Sequence, residues 1–258
     1  DRRSLLIPSK MDFATYILAL KKLVFPGSCN LCRESLDAAQ QTLCSNCIEK
    51  LPYVDNFCLK CAEPLPCIGI CPECQKKPPN FRRCFTLCNY SYPVSSAIQQ
   101  IKKNPYAAET KQLSLLFADH LYARYKENNL PQIIIPMPIH PLKMLTRGFN
   151  QSESIAYFLS TKLTEAVLLT HICRRKQLGE PQQLQTRQQR VMLSASTFNT
   201  KNQYEIKGKT IALVDDVITT GSTAKAATAS LLKAGAKSVD LWCIAKTSWH
   251  NHSSSIKM

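Results

Sequence analysis

From about residue 84 onward, the chain alternates between apolar runs typical of buried strands and apolar positions spaced three or four residues apart, as on helices. Gly235 follows the last helical run, where glycine commonly ends a helix in a left-handed conformation. Strands and helices that alternate in this way favour an α/β fold with a parallel sheet and helices on both faces. The predicted strands cover 84–90, 133–135, 211–214 and 239–244; the predicted helices start at Val94 and near Leu113 and cover 150–163 and 222–234.

The segment before residue 84 is poor in apolar residues and rich in cysteine. Eleven of the 13 cysteines in the 258-residue chain lie between Cys29 and Cys88. A Cys-x-x-Cys turn directs two sulfurs at one metal ion, and two such turns complete a tetrahedral four-cysteine zinc site. Four of these pairs occur in succession: Cys29/Cys32, Cys44/Cys47, Cys58/Cys61 and Cys71/Cys74. Their spacing predicts a small zinc-ribbon module with one or two structural zinc ions, and the simplest pairing is sequential.

Three other arrangements of these cysteines are conceivable. A disulfide framework requires secretion, and the N-terminal segment lacks the small-residue cleavage site of a signal peptide. A thioredoxin-like site needs one Cys-x-x-Cys beside a βαβ pattern, not four in succession. The third alternative, in which Cys67, Cys84 or Cys88 replaces one of the ligands, stays open. Strand-like alternation around Cys84 and Cys88 favours their burial instead.

The positive charge lies mainly in the α/β half. Lys+Arg number 33 and Asp+Glu 18, for a net charge of +15, of which +4 falls in residues 1–88 and +11 in residues 89–258. Two zinc–tetrathiolate clusters of about −2 each would roughly cancel the +4, because zinc binds deprotonated cysteines. An anionic partner is therefore expected at the α/β half. No apolar run approaches the ~18 residues of a membrane span, and a cytoplasmic location is expected.

The most informative motif lies at 211–223, where a buried strand ends in Asp215 and Asp216. The loop that follows opens a helix, and its backbone N–H groups and small hydroxyls can form a cradle for an anion. The two carboxylates suit sugar hydroxyls or a divalent cation. The motif predicts a site for a phosphorylated sugar at the carboxyl ends of the strands. The loop residues are Thr219, Thr220, Gly221, Ser222 and Thr223.

This segment resembles the phosphoribosyl-pyrophosphate (PRPP) motif of type I phosphoribosyltransferases. The resemblance implies that Asp215 and Asp216 contact the ribose hydroxyls, that Mg²⁺ accompanies PRPP, and that loop 219–223 binds the 5′-phosphate. A second run resembles the ComF family of competence-associated proteins, which join an N-terminal zinc ribbon to a phosphoribosyltransferase-like domain. That run is Pro136-Met137-Pro138-Ile139-His140-Pro141 followed by Arg147-Gly148-Phe149-Asn150-Gln151. The resemblance covers roughly residues 26–246.

The family resemblance also assigns roles to two basic segments. Arg147 and Gly148 would receive pyrophosphate, since a guanidinium offers a planar fork of donors and glycine lets the backbone approach closely. The alternative for Arg147 is a helix cap or a surface pair. A hood loop over PRPP would neutralise the leaving group or contact a nucleic acid backbone; a solvated loop is its alternative. Its basic residues are Arg174, Arg175, Lys176, Arg187 and Arg190.

The chain departs from the ComF pattern at two positions. Ala62 follows the second cysteine of the third pair, where the family usually has glycine. Leu193 stands where the family tends to have asparagine. These departures bear on the details of the zinc turn and of the hood loop rather than on the fold.

These features predict an extension at 1–25, a zinc-ribbon module at 26–83, a phosphoribosyltransferase-like domain at 84–248 and a tail at 249–258. The resemblance implies a PRPP-binding protein of natural transformation that handles incoming single-stranded DNA. By family analogy, its partners are a competence helicase or the DNA-uptake machinery. The alternative is an active phosphoribosyltransferase that transfers ribose 5-phosphate from PRPP to a nitrogenous base or amine. A zinc-ribbon transcription factor ranks last, because it would not need an intact sugar-phosphate motif.

Overall fold

A computed structural model describes residues 27–36, 42–125, 130–175 and 197–248. The chain forms two compact units, divided between Lys50 and Leu51. The third and fourth Cys-x-x-Cys pairs therefore belong to the same unit as the sheet. The domain boundary between residues 83 and 84 stays a prediction, and the predicted extension and tail lie outside the described residues.

The first unit contains the first two Cys-x-x-Cys pairs, and its described residues include the short helix α1 (Ser45–Glu49). Cys44 is the N-cap of α1 and Cys47 lies within it. An isolated antiparallel bridge joins Ser28 to Ser35, so the chain reverses direction around the first pair. This local geometry brings both pairs of cysteines together.

The second unit is an α/β structure with a small metal-ribbon segment at its start. Its elements are α2 (Pro72–Lys76), β1 (Arg83–Asn89), α3 (Val94–Ile101), α4 (Ala108–Arg124), β2 (Ile133–Pro136), α5 (Pro141–Arg147), α6 (Gln151–Lys162), β3 (Val167–Leu168), β4 (Cys173–Arg175), β5 (Phe198–Thr200), α7 (Gln203–Ile206), β6 (Thr210–Ile218), α8 (Ser222–Lys233) and β7 (Ser238–Lys246).

Five strands form one parallel sheet in the order β1-β7-β6-β2-β3. Ile135 and Leu213 pack in one buried cluster with Leu231 of α8. Because side chains alternate between the faces of a strand, Ile134 and Val214 point to the other face, where α6 packs on β2 and β6. Burial on both faces explains why these strands read as continuous apolar runs.

The structure confirms the predicted parallel α/β fold. Gly235 has a φ of +99°, as expected after the C-terminus of α8. Among the predicted strands, β6 differs most from its predicted range of 211–214: it runs to Ile218 and therefore includes Asp215 and Asp216. β6 extends this far because β7 pairs with it along its whole length. Among the helices described, none is both long and apolar enough to span a bilayer.

A buried carboxylate at the opposite end of the sheet from the predicted ligand site holds β7 to β1 and α4. Asp240 is 1% exposed and accepts two hydrogen bonds from Arg82, at 2.7 and 2.6 Å. It accepts further bonds from Arg83 Nε at 3.3 Å and from the Tyr125 hydroxyl at 2.5 Å. Trp242 Nε1 in turn donates to the Tyr125 oxygen at 3.1 Å. Two guanidinium groups thus compensate one buried negative charge.

Asp240→Asn is expected to lower the free energy of unfolding by about 3 kcal/mol or more, because removing one member of a buried charged network leaves its partners uncompensated. Urea unfolding measures this loss. The matched control is Asp119→Asn, since Asp119 pairs with Lys162 on the surface and its side chain is 61% exposed. The control should change stability by less than about 1 kcal/mol. Equal effects of the two substitutions would contradict the role assigned to Asp240.

Candidate functional site

The structure brings the eight predicted zinc ligands together in two clusters, in sequential pairing. Within each cluster the four Sγ atoms lie within 4.8 Å of one another. The Cys32 and Cys44 sulfurs are 3.6 Å apart, and the Cys61 and Cys71 sulfurs 3.7 Å. A tetrahedral zinc ion with Zn–S bonds of ~2.3 Å separates its sulfurs by roughly 3.8 Å. Both clusters therefore fit a structural zinc ion, as double zinc-ribbon sites.

The first cysteine of each cluster is prepared for metal binding by the backbone around it. Burial raises the pKa of Cys29, but backbone hydrogen bonds outweigh this effect and lower its pKa to about 6. The same balance lowers the pKa of Cys58 to about 7. One of these donors is the N–H of Cys44, 3.4 Å from the Cys29 sulfur, and the equivalent N–H of Cys71 lies 3.3 Å from the Cys58 sulfur. These donors favour the thiolate form that binds zinc.

The turns of the two clusters have the same backbone geometry. Arg33 and Ala62 each follow the second cysteine of their turn and have φ values of +67° and +59°. Their N–H groups donate to the carbonyl oxygens of Cys29 and Cys58, both at 2.9 Å. This left-handed conformation is the one that glycine adopts without strain. It accounts for the glycine that the ComF pattern usually has at the position of Ala62.

Cysteines outside the two clusters have other environments. Cys84 and Cys88 lie on β1 and are buried, as their alternating pattern predicted. Cys67 is exposed. Within the described ranges, neither these three residues nor Cys173 and Cys243 belong to a group that could hold a metal ion.

A cavity of about 420 Å³ opens where β2, β6 and β7 end. It brings together three segments that are distant in sequence: the Pro-x-Pro run with Arg147 after β2, the acids and loop after β6, and Arg175 of β4. Its charged lining residues are Lys102, Lys143, Arg147, Arg175, Asp215 and Asp216. The convergence follows from the topology, because parallel strands present their carboxyl ends at one edge of the sheet.

Both carboxylates of the cavity have partners on neighbouring elements. The Ser152 hydroxyl of α6 donates to Asp215 Oδ1 at 2.9 Å, and the Asp216 N–H donates to the same oxygen at 2.9 Å. Asp216 is 5% exposed, and its Oδ2 lies 2.8 Å from Nζ of Lys102, which follows α3. Burial, and then the charge of Asp216, raise the pKa of Asp215 to about 8. The two acids together with Lys102 therefore carry little net charge at neutral pH.

The predicted phosphate loop lies between β6 and the 12-residue helix α8. Gly221 is the N-cap of α8 and has a φ of +71°, a conformation that favours glycine. Thr219, Thr220, Ser222 and Thr223 are exposed. The Thr220 and Ser222 hydroxyls lie 3.3 Å apart. Hydroxyls at the N-terminus of a long helix form a site suited to a phosphate group.

A buried ion pair joins this loop to the second cysteine cluster. Lys246 is 1% exposed, and its Nζ lies 2.9 Å from Oε2 of Glu63, two residues after Cys61. Lys246 Nζ also donates to the carbonyl oxygens of Thr219 at 2.9 Å and Thr247 at 2.8 Å. Lys246 therefore holds Thr219, the first residue of the predicted phosphate loop, and is itself paired with Glu63 beside the second cysteine cluster.

The residues of the Arg-Gly-Phe-Asn-Gln run have distinct structural roles. Arg147 is the last residue of α5, lines the cavity, and donates a hydrogen bond to Gln151 of α6. Gly148 ends α5 with a φ of +80°. Asn150 caps α6 by accepting from the Ser152 N–H at 3.1 Å, and its Nδ2 donates to the Met137 carbonyl at 3.0 Å. Asn150 thus fixes the loop after β2 to the helix that carries Ser152.

The predicted hood loop is described only in part. Arg174 and Arg175 lie on β4, which pairs with β5 in antiparallel orientation. Arg174 is exposed, whereas Arg175 lines the cavity and its guanidinium stacks 5.7 Å from the ring centre of Phe198. The alternation of a strand separates these neighbouring arginines. Lys176, Arg187 and Arg190 lie outside the described residues.

Lys102, Ser152 and Lys246 contact the candidate site and Glu63 pairs with Lys246, but none of these residues was among those predicted for the site. Ser152 lies within the helix predicted at 150–163, and Lys102 follows the helix predicted to start at Val94. Glu63 and Lys246 carry no motif that links them, because they are far apart in sequence. One signal was present in the sequence: the apolar pattern of β7 continues up to Lys246 and could have predicted that this lysine is buried.

Comparison with known proteins gives the same order of modules. Residues 20–75 match the family model of the double zinc ribbon domain, and residues 150–254 match that of the phosphoribosyl transferase domain. The chain is 32% identical over 232 residues to the DNA utilization protein YhgH of Escherichia coli O157:H7, covering 87% of this chain and 99% of that protein.

Two relatives bear competence names. Competence protein F of Haemophilus influenzae is 30% identical over 228 residues, covering 86% of this chain and 98% of the relative. Competence protein ComFC of Bacillus subtilis is 23% identical over 202 residues, covering 76% of this chain and 80% of the relative.

Asp215→Asn is expected to stabilise the ligand-free protein, and to do so more at pH 8 than at pH 5. Asparagine keeps an oxygen for the Ser152 hydroxyl but has no charge to bury. With the pKa of Asp215 raised to about 8, folded wild type retains a proton that the unfolded chain releases. The free energy of unfolding of wild type therefore falls between about pH 4 and pH 8, by up to ~1.4 kcal/mol per pH unit.

Urea unfolding of wild type and Asp215→Asn at the two pH values measures this difference. Asp216→Asn is the matched control and should give no such gain, because Lys102 already neutralises the carboxylate of Asp216. A stability gain for Asp215→Asn that does not change with pH would show that this carboxyl is ionised in the folded protein.

Proposed function

The chain belongs to the ComF family, and on that premise we propose that its cavity binds PRPP together with Mg²⁺. We propose further that the protein takes part in natural transformation, in the cytoplasm, by handling incoming single-stranded DNA. A competence helicase or the DNA-uptake machinery would be its partner. The observation that carries the PRPP proposal is the meeting of Asp215, Asp216, loop 219–223 and Arg147 around one cavity.

Each part of this cavity suits one part of PRPP. The ribose hydroxyls would donate to the two carboxylates, which Ser152 and Lys102 already hold in place. The 5′-phosphate would accept hydrogen bonds from the loop and N-terminus of α8. Arg147 would face the pyrophosphate. Carboxylate and phosphate oxygens are the ligands that Mg²⁺ prefers, and the ion would supply positive charge to the diphosphate.

A second candidate function is phosphoribosyl transfer, favoured by the position of Arg175 on the same cavity as Arg147. In this reaction the bond from ribose C1 to the pyrophosphate oxygen breaks, and pyrophosphate leaves with the electron pair. A nitrogen of a base or amine then bonds to C1 with its lone pair and gives up its proton to solvent. The two guanidinium groups would stabilise the charge that develops on the leaving group.

Handling of DNA has separate support. Relatives of the chain are named DNA utilization protein and competence protein. Arg174 is exposed on β4, whereas the next residue, Arg175, lines the cavity. Exposed arginines contact the phosphates of a single strand without regard to its sequence. Arg174 and Lys176 would therefore contact DNA, whereas Arg175 would contact the small ligand.

Isothermal titration calorimetry is expected to show that wild type binds PRPP in the presence of Mg²⁺. Asp215→Ala and Asp216→Ala should each weaken binding about 10- to 100-fold, since a hydrogen bond to a charged group contributes about 1.5–3 kcal/mol. Asp119→Ala, which removes an exposed carboxylate elsewhere, should bind as wild type does. Absence of PRPP binding by folded wild type overturns the proposal. Where PRPP binds, release of pyrophosphate with a panel of bases and amines identifies transfer activity.

Gel retardation of single-stranded DNA tests the second half of the proposal. Arg174→Gln combined with Lys176→Gln should weaken binding and reduce the salt dependence of the binding constant, by a slope of about 0.7 for each lost phosphate contact. PRPP affinity should not change in this variant. Lys233→Gln, which neutralises an exposed lysine at the far end of α8, is the matched control. Unchanged retardation by the double variant would exclude Arg174 and Lys176 as contacts of the DNA.

A further inference from the structure

Lys102 lines the cavity, a position that the sequence did not predict. It directly follows α3, and its side chain is 32% exposed. Its Nζ lies 2.8 Å from Oδ2 of Asp216, whose side chain is 7% exposed. Lys103, the next residue, is exposed and does not line the cavity. The two adjacent lysines therefore differ in environment.

The partners of the two acids show why this lysine matters for a ligand. Asp215 is held by neutral donors, the Ser152 hydroxyl and a backbone N–H. Asp216 is the carboxylate with a cationic partner, and among the described residues that partner is Lys102. A carboxylate has two oxygens, so Asp216 can hold Lys102 on one and accept a ribose hydroxyl on the other. Lysine has three donors, so Lys102 need not leave Asp216 to contact a ligand.

PRPP, the proposed ligand, is highly anionic, so its binding requires positive charge close to Asp216. PRPP carries a diphosphate beside a ribose, and buried carboxylates repel such an anion. Ribose 5-phosphate presents the same hydroxyls and 5′-phosphate without the diphosphate. A cation next to Asp216 would therefore increase the affinity for PRPP more than the affinity for ribose 5-phosphate. Arg147 and Arg175 line the same cavity, but among the described residues neither forms an ion pair with Asp215 or Asp216.

We propose that Lys102 is the residue by which this cavity discriminates PRPP from ribose phosphates that lack the diphosphate. It neutralises Asp216 and presents its remaining donors to the anionic ligand. This inference rests on the PRPP binding proposed above and assigns a further binding residue to that site.

Calorimetry with PRPP and, separately, with ribose 5-phosphate at the same Mg²⁺ concentration tests the assignment. Lys102→Met should raise the Kd for PRPP at least about tenfold and that for ribose 5-phosphate less than about threefold, because a charge-assisted contact to the diphosphate is lost. Lys102→Arg, which keeps the charge, should restore PRPP affinity to within about threefold of wild type. Lys103→Met is the matched control and should bind both ligands as wild type does.

The outcomes separate this inference from the proposal on which it rests. Wild type that binds neither ligand overturns both. If wild type binds PRPP but Lys102→Met loses affinity for both ligands equally, Lys102 only supports Asp216, and the inference alone is overturned. Unchanged PRPP affinity in Lys102→Met also overturns the inference alone. Thermal melting verifies that each variant is folded. If Lys102→Met does not fold, Lys102→Gln replaces it, because glutamine can still donate a hydrogen bond to Asp216.

Discussion

The buried ion pair between Lys246 and Glu63 fixes the start of the loop that borders the cavity at the ends of β2, β6 and β7. A charged side chain that is 1% exposed is tolerated only when its donors are satisfied. Lys246 uses its donors on Glu63 Oε2, on the Thr219 carbonyl and on the Thr247 carbonyl. Glu63 follows the Cys58/Cys61 turn by two residues and receives a further bond from the Ser248 hydroxyl. The metal ribbon, the end of β7 and the phosphate loop are thereby joined at one point.

This junction gives the second cysteine cluster a function beyond its own folding. The turn that carries Glu63 passes through Ala62 in the left-handed region, and its cysteines hold that turn in place. A small cavity of about 100 Å³ is lined both by Cys61 and Cys74 and by Thr219 and Gly221. The metal ribbon and phosphate loop are thus neighbours in one compact unit. In a segment with few apolar residues, metal–thiolate bonds replace the packing that would otherwise fix such a turn.

The parts of this molecule that could be predicted from the sequence are those set by local patterns. The strand and helix periodicity and the Cys-x-x-Cys spacing depend on residues close together in the chain, and both agree with the structure. Lys102, Ser152 and the Lys246–Glu63 pair could not be predicted, because each contacts the site from an element far away in sequence. The end of β6 was misplaced for the same reason: pairing with β7 extends that strand through two acids that would end an isolated one.

The distribution of buried charge changes what the net charge of +15 means. Several basic side chains are already matched to buried acids: Arg82 and Arg83 to Asp240, Lys102 to Asp216, and Lys246 to Glu63. These residues stabilise the sheet and position the cavity, and they contribute little to the field that an approaching polymer meets. Arg147 and Arg175 face a cavity of small-molecule size. The charge available to a long anionic partner is therefore confined to exposed positions such as Arg174, so net charge alone is a weak argument for nucleic acid binding in this chain.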